Sequence, residues 1–444
     1  MIGRGRDGCY VLRALYRAYL RALGIPTVVL ATLYAACADP PKKSHKGAGA
    51  GTAGTSIAEA GASEDGGTNA SGGAGGSSSA GGKDSAGMAG EPDAEGGMGG
   101  DAGSGGSAGT SDTPLDACAG LNIGQSKMPS PPTTGVAKPS GAVGGLKVID
   151  WAGFKGALSY TFDDSLQSQV AHYDELNAVG VHMTFYLVNS NQGSNAIWLK
   201  AVADGHELGN HTVNHCNANG SGCINSATFL GVAAELDNNT AFLKSKAGVS
   251  DVYTFAEPFG DLGWSDAASQ RFLVARGVSD RPGALPNDST PPFDLPCHVS
   301  NEGEKAVGGF NSISDDVRAK GSWRTILMHN VDPAIADYGY HPVQIAEAVA
   351  AMTYTKSLGD VWADTVVAVG SYWRAQKAFS TVPPKSVGND TVYTWTLPAH
   401  FPPGMYLRAT VTGGTLKQCG SELSWDDHGY YEINLDAGSV TISP

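Results

Sequence analysis

Ala157-Leu158-Ser159-Tyr160-Thr161-Phe162-Asp163-Asp164 is the stretch whose reading decides the fold. Its first six residues predict a strand, and the strand ends on two carboxylates. Adjacent carboxylates at a strand end repel each other unless a cation or a proton resolves the conflict. The alternative is an aspartate pair capping the helix that follows. Downstream, Val170, Tyr173, Leu176 and Val179 recur at helical spacing, and residues 181–188 return to a strand. Helical patterns then cover 197–202, 233–243, 267–276, 343–354 and 366–378. Between them lie strand patterns at 252–255 and 323–328 and a short one opening at Trp362. Such alternation implies a parallel sheet, closed or wound by crossover helices. The segment 145–380, roughly 230 residues, is a normal size for a barrel of this class.

Beyond Pro383 the helical spacing disappears. Residues 392–397, 405–411 and 430–435 alternate in period two between Pro-Gly and Gly-Gly turns, which predicts a small antiparallel β domain over 381–444. Its role is left open between packing and sugar binding. Toward the N-terminus the composition changes sharply. The 444 residues include 61 glycines, crowded with Ala and Ser between Ala38 and about Asp112. A tract with so few large apolar side chains cannot offset its ordering entropy and is expected to be disordered. A proline-bearing stretch (Pro129, Pro131, Pro132, Pro139) continues this expected linker to residue 144. Residues 1–37 read as an export signal: an arginine-rich lead, an apolar run over 22–36, and Tyr34-Ala35-Ala36 before Cys37. The last four residues resemble a bacterial lipobox. That resemblance implies acylation of Cys37, a membrane partner through the lipid, and a cell-envelope location facing the periplasm or exterior.

The net charge of −14 argues against a nucleic-acid partner and favours a neutral or cationic substrate. Outside Cys9 and Cys37, five cysteines remain: Cys118, Cys216, Cys223, Cys297 and Cys419. The loop from Cys216 to Cys223 is short and glycine-containing, and can close on itself. None shows CxxC spacing, so all read as structural.

Chemistry concentrates in three motifs at predicted strand ends. The first is Thr161-Phe162-Asp163-Asp164. The second is Gly209-Asn210-His211-Thr212-Val213-Asn214-His215, whose two histidines four apart would share one face of a helical turn and grip one metal ion. Asp164 would be the third ligand, leaving positions open for water and substrate. The third is Thr325-Ile326-Leu327-Met328-His329-Asn330, a buried strand ending in an imidazole suited to protonating a leaving group near neutral pH.

Together the motifs resemble the polysaccharide deacetylases of the NodB-homology type, carbohydrate esterase family 4, over about Gly145 to Ala378. The resemblance implies an α/β fold, a distorted (β/α)7 barrel with a divalent metal, zinc first, at the strand C-terminal ends. It also implies an acetylated polysaccharide as substrate. It makes Asp163 the general base, Asp164, His211 and His215 the metal ligands, and His329 the general acid. Leu327 would wall the acetyl pocket, and the Phe259 backbone N–H would meet the oxyanion. Phe255-Ala256-Glu257-Pro258-Phe259-Gly260 follows the family's third motif, except that Ala256 stands where an arginine tethers the base. Arg281, in the neighbouring loop, is the expected substitute. The family's fourth motif, an aspartate–tryptophan pair orienting the histidine, has no identified counterpart. The expected function is N-deacetylation of a GlcNAc-containing polymer. An O-acetyl xylan-type esterase and a catalytically silent sugar-binding surface lipoprotein are the alternatives.

Overall fold

The computed structural model describes residues 118–300, 308–336 and 339–444. The expected export segment, the Cys37 anchor and the glycine-rich tract lie outside the described residues.

A parallel strand covered on both sides buries every residue, and all 8 residues of Gly156–Asp163 (β1) are buried. The other strands of the sheet are Thr184–Leu187 (β2), Glu207–Asn210 (β3), Thr254–Ala256 (β4), Val274–Arg276 (β5), Cys297–Val299 (β6), Trp323–Met328 (β7) and Val361–Ala363 (β8). They run parallel in the order β5-β4-β3-β2-β1-β7-β6, with β8 against the start of β1. A parallel bridge between Arg276 and Leu295 joins the two edges. The sheet is therefore a nearly closed, distorted α/β barrel wrapped by helices, as expected.

The period of two along β1 separates two environments. Leu158, Tyr160 and Phe162 pack outward in a core with Leu176, Phe185 and Trp198. Ser159, Thr161 and Asp163 face inward, on the side that register shares with Thr325 and Leu327 of β7. Glu207 is fully paired: it accepts hydrogen bonds from Thr184 Oγ1 (2.8 Å), Thr254 Oγ1 (2.6 Å) and the Val367 N–H (2.8 Å).

The C-terminal region is antiparallel β. Lys385–Val387, Asp390–Thr394, Ser439–Ser443, Thr415–Gln418 and Ser421–Glu422 lie side by side in that order. Tyr406–Thr410 and Tyr431–Asn434 form a second sheet. Its third strand, Lys147–Val148, comes from before the barrel. The sequence reading gave that segment to the barrel. Leu407, Ile433, Leu416 and Ile442 of these sheets share a core with Trp362, Trp373 and Phe379 of the barrel.

Two sequence expectations need correction. The proline-bearing part of the expected disordered linker, from residue 118 to 144, is laid down on the β sheets. Cys118 is disulfide-bonded to Cys419, 301 residues away in sequence. Ser126 donates through N–H and Oγ to Glu432 (2.6 and 2.5 Å). Buried Arg408 donates to the carbonyls of Pro129 (2.9 Å) and Met128 (3.2 Å). Proline fixes extended backbone and leaves carbonyls unpaired; an arginine fork can collect them. The second correction concerns 267–276. Its helix ends early, at Ser265–Ser269, and Val274–Arg276 is the strand β5. A run of apolar residues cannot be told from a helix by period alone. The parallel register of Thr254 with Val274 and Ala256 with Arg276 decides it.

Candidate active site

Consecutive strand residues point to opposite faces, so Asp163 and Asp164 would diverge if β1 simply continued. Asp164 and Ser165 instead take φ of 75° and 55°. The cost of two left-handed residues is offset by buried bonds. The Val188 N–H donates to Ser165 Oγ (2.9 Å), and Asn191 Nδ2 donates to the Asp164 carbonyl (2.7 Å). Both carboxylates thereby line one cavity of about 510 Å³, together with His211, His215, Glu257, Phe259, Leu327 and His329.

The histidine pair is not on a helical turn. His211 follows β3 directly, and the segment to His215 is a loop with Thr212 at φ 67° and His215 at φ 47°. Short polar side chains shape it. The Thr212 N–H donates to Asn210 Oδ1 (2.8 Å), the His215 N–H to Thr212 Oγ1 (2.9 Å), and the Asn214 N–H to Glu235 (2.8 Å). Cys216, next in sequence, is bridged to Cys223, closing the loop the sequence suggested. Cys297 is a buried free thiol.

The loop still brings the ligands together. Nε2 of His211 and of His215 stand 3.4 and 3.3 Å from Asp164 Oδ1, and one ligand atom from each of the three residues lies within 4.8 Å of the others. Donor chemistry fits a cation. His211 Nδ1 bonds to the Ala256 carbonyl (2.8 Å), which fixes Nδ1 as the protonated nitrogen and leaves the Nε2 lone pair toward Asp164. Asp164 Oδ1 is buried with no hydrogen-bond donor among the described residues, a costly arrangement unless a positive charge occupies the gap. Burial acts to raise the Asp164 pKa, but the imidazoles of His211, His329 and His215 outweigh it and hold the carboxyl well below the usual range. Burial, reinforced by His211, pushes His215 down to about 4, so it is neutral and able to ligate at pH 6–7. Loss of one ligand should cost more than the ~10–100-fold typical of an outer partner. His211→Ala and His215→Ala are each expected to bring metal content, read by mass spectrometry after dialysis, close to zero.

Asp163 flanks this triad, with Oδ2 3.6 Å from His211 Nε2. Its orienting cation is not Arg281. Arg281 turns away to Asp294, donating from Nη1 to Oδ2 at 2.5 Å. Arg276, fully buried at the end of β5, donates from Nη2 to Asp163 Oδ2 instead. Register explains the substitution: Ala256 and Arg276 are direct neighbours on β4 and β5. The small side chain at 256 leaves room for a guanidinium delivered from the next strand, which also lies 5.2 Å over the Tyr186 ring. Reading 267–276 as a helix hid this residue. A buried arginine in an otherwise apolar run was the available signal.

His329 follows β7 across the cavity, its Nε2 4.0 Å from Asp164 Oδ2. Burial lowers its pKa below the ordinary imidazole value, although Asp164 and Asp163 oppose the shift. Nδ1 has no hydrogen-bond partner among the described residues. Gln169, which the motif reading missed, ties the two ends of the site together: Nε2 donates to the carbonyls of Asp163 (2.6 Å) and His329 (3.0 Å). Leu327 is buried in the cavity wall. Phe259, at φ 58° in a turn opened by Pro258, sets its ring 4.5 Å from that of His215.

Residues 154–272 match the family described as Polysaccharide deacetylase. A gellan lyase from Bacillus sp is 31% identical over 192 residues, which are 43% of this chain and 7% of that protein. The chain therefore spans only a small part of that curated relative's length. Among solved structures, a polysaccharide deacetylase from Mycobacterium smegmatis is similar at 16% identity and a TM-score of 0.39, over 53% of this chain and 96% of that one. Peptidoglycan deacetylase PdaC from Bacillus subtilis is similar at 20% identity and a TM-score of 0.32, over 48% and 89%. A family 4 acetyl xylan esterase from Clostridium thermocellum is similar at 20% identity and a TM-score of 0.31, over 48% and 89%.

Proposed function

We propose that the chain, whose residues 154–272 match the family described as Polysaccharide deacetylase, is a metal-dependent hydrolase that removes N-acetyl groups from a GlcNAc-containing polymer. One observation carries the reading. Asp163, free of the ligand triad yet beside it, lines the same cavity as His329 and as Asp164, His211 and His215.

Asp164, His211 and His215 would hold the ion, zinc being the first choice for two imidazoles and a carboxylate. When bound there, a divalent ion supplies a Lewis acid for the acetyl carbonyl and eases deprotonation of water. Asp163 takes the proton of the attacking water, held in place by Arg276. The Phe259 N–H donates to the oxyanion as it develops. His329 delivers a proton to the departing nitrogen. An amine leaves an amide only when protonated, so an acid on the far side of the cavity from the base suits an N-acetyl substrate. Leu327 offers the acetyl methyl an apolar wall.

The test is acetate release by metal-loaded protein from acetylated chitooligosaccharides, peptidoglycan glycan strands and acetylated xylan. Release from the amide substrates is the expected result. Release from xylan alone would move the reading to an ester, and binding without release would leave a sugar-binding protein. Acylation at Cys37 is part of the same proposal, since a tethered enzyme suits an envelope-bound polymer. Cys37→Ser is expected to lose a labelled acyl chain and pass from the membrane to the soluble fraction of the producing cell.

A further inference from the structure

At the base of the turn that carries Phe259, Glu257 in the cavity wall has a second carboxyl group, Asp294, near it. Glu257 is buried to 1% exposure. Its Oε1 accepts a hydrogen bond from Ser265 Oγ (2.7 Å), while its Oε2 is buried without any donor among the described residues. Asp294 repeats the pattern. Its Oδ2 is taken by Arg281 (2.5 Å), and its Oδ1 is buried without a donor among the described residues. Both orphaned oxygens flank one point: a Cβ on Gly277 would stand 3.2 Å from Asp294 Oδ1 and 3.4 Å from Glu257 Oε2. Two buried acceptors with no donor among the described residues are expensive, and a proton held between them would relieve both.

We propose that Glu257 is protonated and donates from Oε2 to Asp294 Oδ1, and that this shared proton positions the Pro258–Gly260 turn over the active site. The backbone places Glu257 to do so. Its N–H donates to the Arg276 carbonyl (3.0 Å), and its carbonyl accepts from the Gly260 N–H (2.9 Å). It thus joins the strand that delivers the base's arginine to the turn that presents the Phe259 N–H. The other groups facing it are Asp261, which opposes ionisation, and Arg276, which favours it; burial acts first and Asp294 adds to it, pushing the Glu257 carboxyl up to about 7. The kinetic consequence rests on the deacetylase reading; the proton itself does not.

The two parts are separated by experiment on the full chain. A carboxyl whose folded pKa is raised from 4.5 to about 7 binds its proton more tightly in the folded state. The stability it confers is complete below its unfolded pKa and is lost as pH rises through the folded one. The thermal midpoint should therefore fall between pH 4.5 and 7 in the wild type. It should stay flatter across that window in Glu257→Gln, whose amide donates permanently to Asp294. Asp294→Asn removes the repulsion and should shift the fall to lower pH, so the proton can be read even if one variant fails to fold. Equal slopes in the wild type and in whichever variant folds would overturn the shared proton.

For acetate release, the ratio of Glu257→Gln to wild type should rise above pH 7, reaching roughly tenfold one unit higher, where about a tenth of Glu257 keeps its proton. Glu257→Ala should be impaired throughout and not regain activity at high pH. Parallel profiles for Glu257→Gln and wild type, with the stability difference intact, would leave the proton in place and refute its positioning role. Absence of acetate release by every form at every pH would instead count against the deacetylase reading.

Discussion

Asp163→Asn is expected to cut acetate release by ~10²–10⁴-fold, the usual contribution of a positioned general base, while the chain keeps its metal. The prediction separates the roles expected of two adjacent carboxylates. Asp164 faces the Nε2 atoms of both imidazoles at 3.4 and 3.3 Å, whereas Asp163 meets His211 only at 3.6 Å and spends Oδ2 on Arg276. Asparagine matches the shape of the side chain and still accepts a bond from Arg276 through its oxygen. It cannot take a proton from water. Metal content and acetate release should therefore separate in Asp163→Asn and fall together in Asp164→Asn. Full activity in Asp163→Asn would remove that residue from the role of base.

Arg276→Met should have the largest combined effect on stability and activity. Breaking a buried ion pair by deleting one partner costs about 3–5 kcal/mol, because the remaining charge is stranded. Arg276 is completely buried, and Asp163 is 2% exposed. A loss of that size lowers the melting temperature by roughly 10 °C in a domain of this length. Activity should fall with it, since nothing else among the described residues donates to Asp163 Oδ2 from the β5 side. Arg276→Lys is expected to rescue little, because an ammonium lacks the planar fork. The control is Arg281→Met. That side chain is 31% exposed and pairs with Asp294, so it should leave the Asp163-dependent rate far closer to wild type. The melting curve and the acetate assay decide between the two arginines. The losses in Asp163→Asn and Arg276→Met should also be non-additive in the double variant, as for residues in direct contact.

The barrel was legible because its elements announce themselves locally. β1 is a run that stays buried on both faces, and the helical spacing of Val170, Tyr173, Leu176 and Val179 is independent of any distant contact. The site was legible for a similar reason: Asp163, Asp164, His211, His215 and His329 all stand at or just beyond the C-terminal ends of strands, where a barrel gathers side chains. The helical turn read at 211–215 was wrong in conformation. It was right in outcome, because the loop's bonds from Asn210, Thr212 and Glu235 replace the helix as the device that faces two imidazoles the same way.

What resisted reading depended on pairings across long stretches of chain. The strand β5 looks helical in isolation and becomes a strand only because β4 offers it a parallel edge. Residues 118–144 look like linker until Arg408 and Cys419 supply partners for them from nearly 300 residues downstream. Amino-acid order alone determined the barrel, through local periodicity, and nominated the Asp164, His211 and His215 cluster with its two proton-transfer candidates, through a family resemblance. Tertiary structure alone decided which arginine holds Asp163. Register between adjacent strands fixes which side chains meet, and register is set by the sheet as a whole.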